Sequence, residues 1–284
     1  ASVSHSVVAV GNFVFLIGGK TSSGVLTSVF RYDTVNNLWD TPWPSLPEGR
    51  SNAAAAVVGN VVFLFGGATN GNTLRNTILS FDTSSKSNAW QSRTAILPAA
   101  VQGLSASTVG TNIYLTGGQT SPATPTNSAL KYNTQSPNIN PSPIAELFQA
   151  RFGHVSFFNP VDQRLYVVGG IFDFFQNTVE TFDTNQAAPG SWTSVNAPNY
   201  VPISYASAGL IGSRLYLTGS SSSIGALQVL DVSVSTSLNW TPFPNSPSPG
   251  ASVFQTTGPS KITSIDTKSG STSFYNIATN GWNA

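Results

Sequence analysis

Cysteine and methionine are both absent from the 284 residues, and charged side chains make up only 8% of them. Without cysteine there is no disulfide, no thiolate nucleophile and no cysteine-held metal, so stability has to come from packing. A net charge of +1 with no basic run lacks the electrostatic footprint that nucleic acid requires. No apolar run approaches the roughly 20 residues of a membrane-spanning helix. The lack of methionine, position 1 included, leads to the expectation of a mature product trimmed at its N-terminus. The polar residues are mainly Ser, Thr and Asn, with many Gly, and few are Lys or Glu. That composition leads to the expectation of a secreted or wall-associated protein.

What the chain has instead is repetition. FVFLIGG at Phe13 to Gly19 returns as VVFLFGG at Val61 to Gly67, NIYLTGG at Asn112 to Gly118, RLYVVGG at Arg164 to Gly170 and RLYLTGS at Arg214 to Ser220. The period is about fifty residues, in the range of propeller and solenoid arrays. Each repeat reads as an alternating strand, a turn, the glycine-ended strand, a polar loop, a strand ending in an aromatic-Asp/Asn corner, and a strand bearing Trp. In the first repeat these are Ser4 to Val10, Phe13 to Ile17, Ser28 to Tyr32 with Asp33-Thr34, and Trp39. The third repeat departs from the pattern, because Pro137 to Pro143 replaces the Trp strand and implies an irregular outer edge. The sixth is worn: Ser252 to Thr256, Ile262 to Asp266, Thr272 to Tyr275 and Trp282, without a glycine pair. Helical periodicity is nowhere sustained.

A Gly-Gly pair after a buried strand, a Tyr or Phe before an Asp/Asn turn, and a Trp further on together resemble the kelch repeat, over essentially the whole chain. The resemblance implies an all-β fold, a six-bladed β-propeller of four-stranded antiparallel blades, as a single domain over residues 1–284. The blades would fall at roughly 1–46, 47–98, 99–147, 148–200, 201–248 and 249–284. Glycines are needed where the backbone turns sharply or passes a neighbouring blade so closely that a Cβ would clash. Asp33, Asp82, Asp183 and Asp231 belong to the repeated corner and read as turn formers.

Blades that wind outward put the loop leading into the first strand and the loop after the glycine pair on one face, which in kelch-like propellers is the usual ligand surface. The lead-in loops offer Glu48, Arg50, Asn52, Gln102, Glu146, Arg151, His154 and Tyr205. Arg151 to His154 matches the family's common Arg-x-x-His sequence. For Arg50 and Arg151 a role bridging blades through backbone carbonyls at the funnel rim stands beside a ligand role, and for His5 and His154 a packing role stands beside acid–base or metal duty. No local spacing of the two histidines resembles a zinc or iron site, and no metal or cofactor is expected.

The least ordinary loop follows the fourth glycine pair: Ile171-Phe172-Asp173-Phe174-Phe175-Gln176-Asn177. Phenylalanines crowded on a loop either mark a contact surface or plug the funnel. With Phe148, Phe152, Tyr200 and Tyr205 around Arg151 and His154, they would wall a recess suited to a sugar ring or a partner side chain. The expected ligand-binding set is therefore Arg50, Arg151, His154, Phe172, Phe174, Phe175 and Tyr205. The sequon at Asn239-Trp240-Thr241 is a glycosylation candidate.

The leading expectation is a non-enzymatic secreted module that recognises a glycan or an extracellular protein through the funnel face. A second is a structural subunit of a wall, coat or filament that self-associates through the phenylalanine loop. A third is a sugar-modifying enzyme. Copper radical oxidases resembling galactose oxidase need a Cys cross-linked to a Tyr, which this chain lacks. Sugar-acid epimerases of similar fold use Arg, Glu and His, which Arg50, Arg151, Glu146 and His154 would mimic, and Glu48 with Glu146 would be the pair for glycoside hydrolysis. No catalytic motif identifies a reaction.

Overall fold

Short runs of β-branched and aromatic residues stopped by glycine favour buried strands. In the computed structural model of the protein the runs at Phe13–Ile17, Val61–Phe65, Asn112–Thr116, Arg164–Val168 and Arg214–Ser220 are each the second strand of a four-stranded antiparallel sheet. The structure describes residues 3–40, 42–121, 124–173, 176–195, 197, 200–211, 213–220, 227–233, 238, 240–242, 252–256, 261–266, 272–276 and 281–283.

The protein is an all-β propeller of four-stranded antiparallel blades. Within each blade the strand order follows the chain, so the first strand is innermost and the fourth is the outer edge. Blade one is Ser6–Val10, Phe13–Ile17, Val29–Asp33 and Leu38–Asp40; blade four is Val155–Asn159, Arg164–Val168, Val179–Asp183 and Trp192–Val195. The innermost strands stand side by side: Ser6–Val10 contacts Ala54–Val58, which contacts Ser105–Val109, and the series continues through Val155–Asn159 to Ser204–Ile211. The outer edge of blade three is a two-residue strand, Ser142–Pro143, as the proline-rich run requires.

Five blades are built in this way, where the sequence pattern leads to six. The worn sixth repeat pairs its backbone into a four-stranded antiparallel sheet, Ser252–Thr256, Lys261–Asp266, Thr272–Asn276 and Gly281–Asn283. Its side chains lie outside the described residues, and it has no glycine pair of the kind that joins each of blades one to four to the next lead-in loop.

The core is a series of seams between blades. Ala54, Phe63, Phe65 and Ile78 of blade two close on Ile113, Leu115 and Tyr132 of blade three, with Tyr132 edge-on to Phe63 and Phe65 at 5.8 and 5.6 Å. A further seam joins Tyr166, Val168 and Val179 of blade four to Leu215, Leu217 and Trp240 of blade five.

The repeated corner has one chemistry. Asp33, Asp82, Asn133, Asp183 and Asp231 each accept the amide two residues ahead, at 2.9 to 3.0 Å. The threonines that follow, Thr34, Thr83, Thr134 and Thr184, each donate to a carbonyl in the turn between the first two strands. In blades two and four the corner aromatic also packs on the Trp, Phe81 stacked on Trp90 and Phe182 tilted against Trp192, both at 5.2 Å. Those indoles donate to Pro44 and Ala145 in the preceding link. Blade one differs, because Trp39 is 38% exposed and the buried indole between blades one and two is Trp43, set against Phe15 and Phe81.

Candidate functional site

The glycine pairs do two jobs. The second glycine of each pair donates its amide to a carbonyl in the next lead-in loop: Gly19 to Arg50, Gly67 to Val101, Gly118 to Arg151 and Gly170 to Ile203, at 2.7 to 2.8 Å. The first makes room for that carbonyl, since a Cβ on Gly18, Gly66, Gly117 or Gly169 would lie 2.2 to 2.4 Å from the same oxygen. Both sequence arguments for glycine hold, because all eight residues also have positive φ.

A second set of contacts rings the funnel. Ser4, Asn52, Gly103, Gly153 and Tyr205 occupy one equivalent position in successive repeats, and all five are left-handed, with φ between 47° and 64°. Each amide donates to the carbonyl of its predecessor: Asn52 to Ser4, Gly103 to Asn52, Gly153 to Gly103 and Tyr205 to Gly153, at 3.0, 2.8, 2.8 and 2.6 Å. The residues just before them bridge the chain just past the glycine pair, Val3 with Lys20, Ser51 with Ala68, Gln102 with Gln119 and Phe152 with Ile171. Lead-in loops and post-glycine loops therefore share one face, as the winding of the blades predicts.

On this face the structure separates the expected site residues into two layers. Arg151 and Glu180 are 0% and 1% exposed and form an ion pair at 2.5 Å. Arg151 also donates to the Gly169 and Thr178 carbonyls and the Thr178 hydroxyl. Glu180 in turn accepts the amides of Phe148 and Gln149 at 2.7 and 3.2 Å. The guanidinium is thus a brace under the loop that bonds only groups of its own blade four, not a bridge between blades, and presents no free donor to a ligand. Arg50 is buried in the same role, donating to Glu48, the Gly49 carbonyl and Thr77. Arg75 beside it, followed by Arg50, holds the Glu48 carboxyl down at about 2. A carboxylate so held is poorly placed to be the general acid of a glycosidase, whose proton must be retained near neutral pH.

His154 is buried against the Thr116 hydroxyl, with Nε2 to Oγ1 at 2.9 Å. Desolvation, with the Arg151 charge second, pushes its pKa down to about 3. Between pH 6.5 and 3 the unfolded chain takes up a proton here that the folded chain refuses, so stability falls as pH falls through that window, by about 1.4 kcal/mol per pH unit at most. Glu48, with its lowered pKa, contributes stability that is present above pH 4.5 and lost as pH drops toward 2. Urea midpoints measured from pH 6.5 to 4.5 should therefore fall less steeply for His154→Gln than for the wild type. Equal slopes would contradict a neutral buried imidazole.

The outer layer is aromatic. Phe148, Tyr205 and Phe172 are 62%, 57% and 42% exposed. Phe152, half-buried, meets Tyr205 edge-to-face at 6.2 Å. The Tyr205 ring lies over Gly153 and the Phe152 ring over Gly103, where a Cβ would come within 3.4 to 3.6 Å of each. The structure thus gathers Phe148, Phe152, Phe172 and Tyr205 on one side of the funnel face, and sinks Arg151, His154 and Tyr200 beneath it. Phe174, Phe175 and Asn239 lie outside the described residues. Among the described residues no group of three or more His, Cys, Asp or Glu is placed to hold a metal. A small, mostly apolar cleft between blades two and three, lined by Leu97, Pro98, Val101, Leu104, Leu115 and Leu130, has no counterpart in the sequence pattern.

Compared with known proteins, residues 4–219 match the family model described as the KLHDC2/KLHL20/DRC7 Kelch-repeats domain. No curated protein matches the chain.

Proposed function

Because the chain belongs to the Kelch-repeat family that this match defines, we propose that it is a protein-binding module whose contact surface is the Phe148, Phe152, Phe172 and Tyr205 side of the funnel face. The observation that carries this reading is Tyr205. Left-handed backbone costs an ordinary residue roughly 1 kcal/mol or more, and the equivalent positions elsewhere in the ring are the more tolerant Gly, Asn or, once, Ser. Here a bulky aromatic accepts that cost and is still 57% exposed. A strained and exposed aromatic is explained by a partner that covers it.

Between the two ligand classes that fit the sequence, a protein segment is favoured over a glycan. The polar groups that the sequence set against the rings are buried: Arg151 and Glu180 are spent on one another and on the backbone, and His154 is held by the Thr116 hydroxyl. The sheet at Ser252–Asn283 is proposed to complete the ring as a sixth blade, a reading supported by the contacts of Ser252–Thr256 with both Ser204–Ile211 and Ser6–Val10.

Tyr205→Asn tests the site. Asn52 holds the same left-handed position in blade two, so the substitution keeps the backbone and removes the ring. The melting temperature should move by no more than a few degrees, while binding to a protein partner weakens by about thirtyfold, as for a central aromatic anchor. Unchanged affinity in calorimetry would remove Tyr205 from the site.

A further inference from the structure

The aromatic side of the funnel face also carries an unbalanced charge. Within residues 144–152, 171–173 and 200–205 the ionisable acids and bases other than tyrosine are Glu146, Arg151 and Asp173. Arg151 is sealed beneath the surface by Glu180, so it offers nothing to a partner. Glu146 and Asp173 are exposed, and neither forms an ion pair among the described residues. Among the described residues Glu146 accepts only a neutral donor, the Asn127 amide at 3.1 Å. By contrast, the carboxylate at the blade-two lead-in, Glu48, is held by two arginines. Each free carboxylate stands next to an exposed ring in the chain: Glu146 two residues before Phe148, Asp173 directly after Phe172.

Rings with negative faces beside unpaired carboxylates are complementary to a cation that has an apolar stem. Resting on the reading that this face binds protein, we propose that its partner presents an extended basic segment, in which an arginine or lysine is flanked by an apolar residue. The apolar residue packs against Phe152 and Tyr205, and the cation lies over an exposed ring within reach of Glu146 or Asp173. Arginine suits the site better than lysine, because its planar guanidinium both stacks on a ring and bonds a carboxylate. A segment of net negative charge is repelled.

A random octapeptide display library selected on the full chain tests this and needs no identified partner. The selected peptides should be enriched in Arg or Lys beside Leu, Ile, Val or Phe. The best of them, as a labelled peptide, should lose about tenfold in affinity for the Glu146→Gln/Asp173→Asn double variant and several-fold between 50 mM and 500 mM NaCl. Its analogue with Gln in place of Arg should lose as much. Neutral or acidic winners that fail to bind Tyr205→Asn would overturn the basic partner and leave the aromatic face standing. Winners that bind Tyr205→Asn as well as the wild type would overturn the face itself. A library that yields no binder would overturn the inference that a short basic segment is sufficient.

Discussion

Arg151→Ala is expected to destabilise the propeller by about 3–5 kcal/mol, because it strands a carboxylate in a place water does not reach. Glu180 is 1% exposed, and Arg151 is its counter-ion. Two backbone amides, those of Phe148 and Gln149, still reach it in the variant, but they do not neutralise it. The variant also frees the Gly169 and Thr178 carbonyls that the guanidinium bonds. For a domain of this size the melting temperature should fall by roughly 10 °C, at 2–4 °C per kcal/mol. The informative companion is Arg151→Met with Glu180→Leu, which removes both charges and should recover a large part of the loss. A double variant no better than Arg151→Ala would mean that the hydrogen bonds to the loop, and not the charge balance, hold this region together.

The second large effect is expected at the glycine pairs. Gly117→Ala should cost about 3 kcal/mol or more. Left-handed backbone accounts for roughly 1 kcal/mol of that. The rest comes from a Cβ that would sit 2.4 Å from the Arg151 carbonyl, a backbone atom of the next lead-in loop. Gly110→Ala isolates the two contributions. Gly110 is equally left-handed, at φ 59°, but nothing lies within 4 Å of its Cβ position. It should therefore cost only about 1 kcal/mol. Denaturant unfolding of the two variants side by side reads the difference, and equal losses would show that the pair is selected for its dihedrals alone.

These two results bear on how much of the molecule its sequence discloses. The strands were legible because each is a short apolar run with a punctuating glycine or aspartate, so Phe13–Ile17 and Val61–Phe65 fall where the pattern puts them. The shared face was legible because blade winding is a topological rule. The division of that face into a buried brace and an exposed aromatic layer was not. Arg151 and Phe148 stand three residues apart in one loop, and nothing in their spacing reveals that Glu180, some thirty residues later, pulls one inward and leaves the other outside. The ring of left-handed residues was hidden for a different reason. Ser4, Asn52, Gly103, Gly153 and Tyr205 share a backbone conformation but no residue type, and a search for repeated letters passes over them. Trp43 escaped because it lies in the link between blades, outside the repeated marks, while the repeat's own Trp39 is left at the surface.

The most direct test of the account is a hydrogen-exchange footprint of the full chain with and without the best peptide selected on it. The account predicts slowed exchange in residues 144–152, 171–173 and 201–205, with no change around the exposed aromatic edge of blade one at Phe30 and Trp39. Protection centred on that edge, or on the cleft lined by Leu97, Val101 and Leu104, with residues 201–205 unaffected, would contradict it.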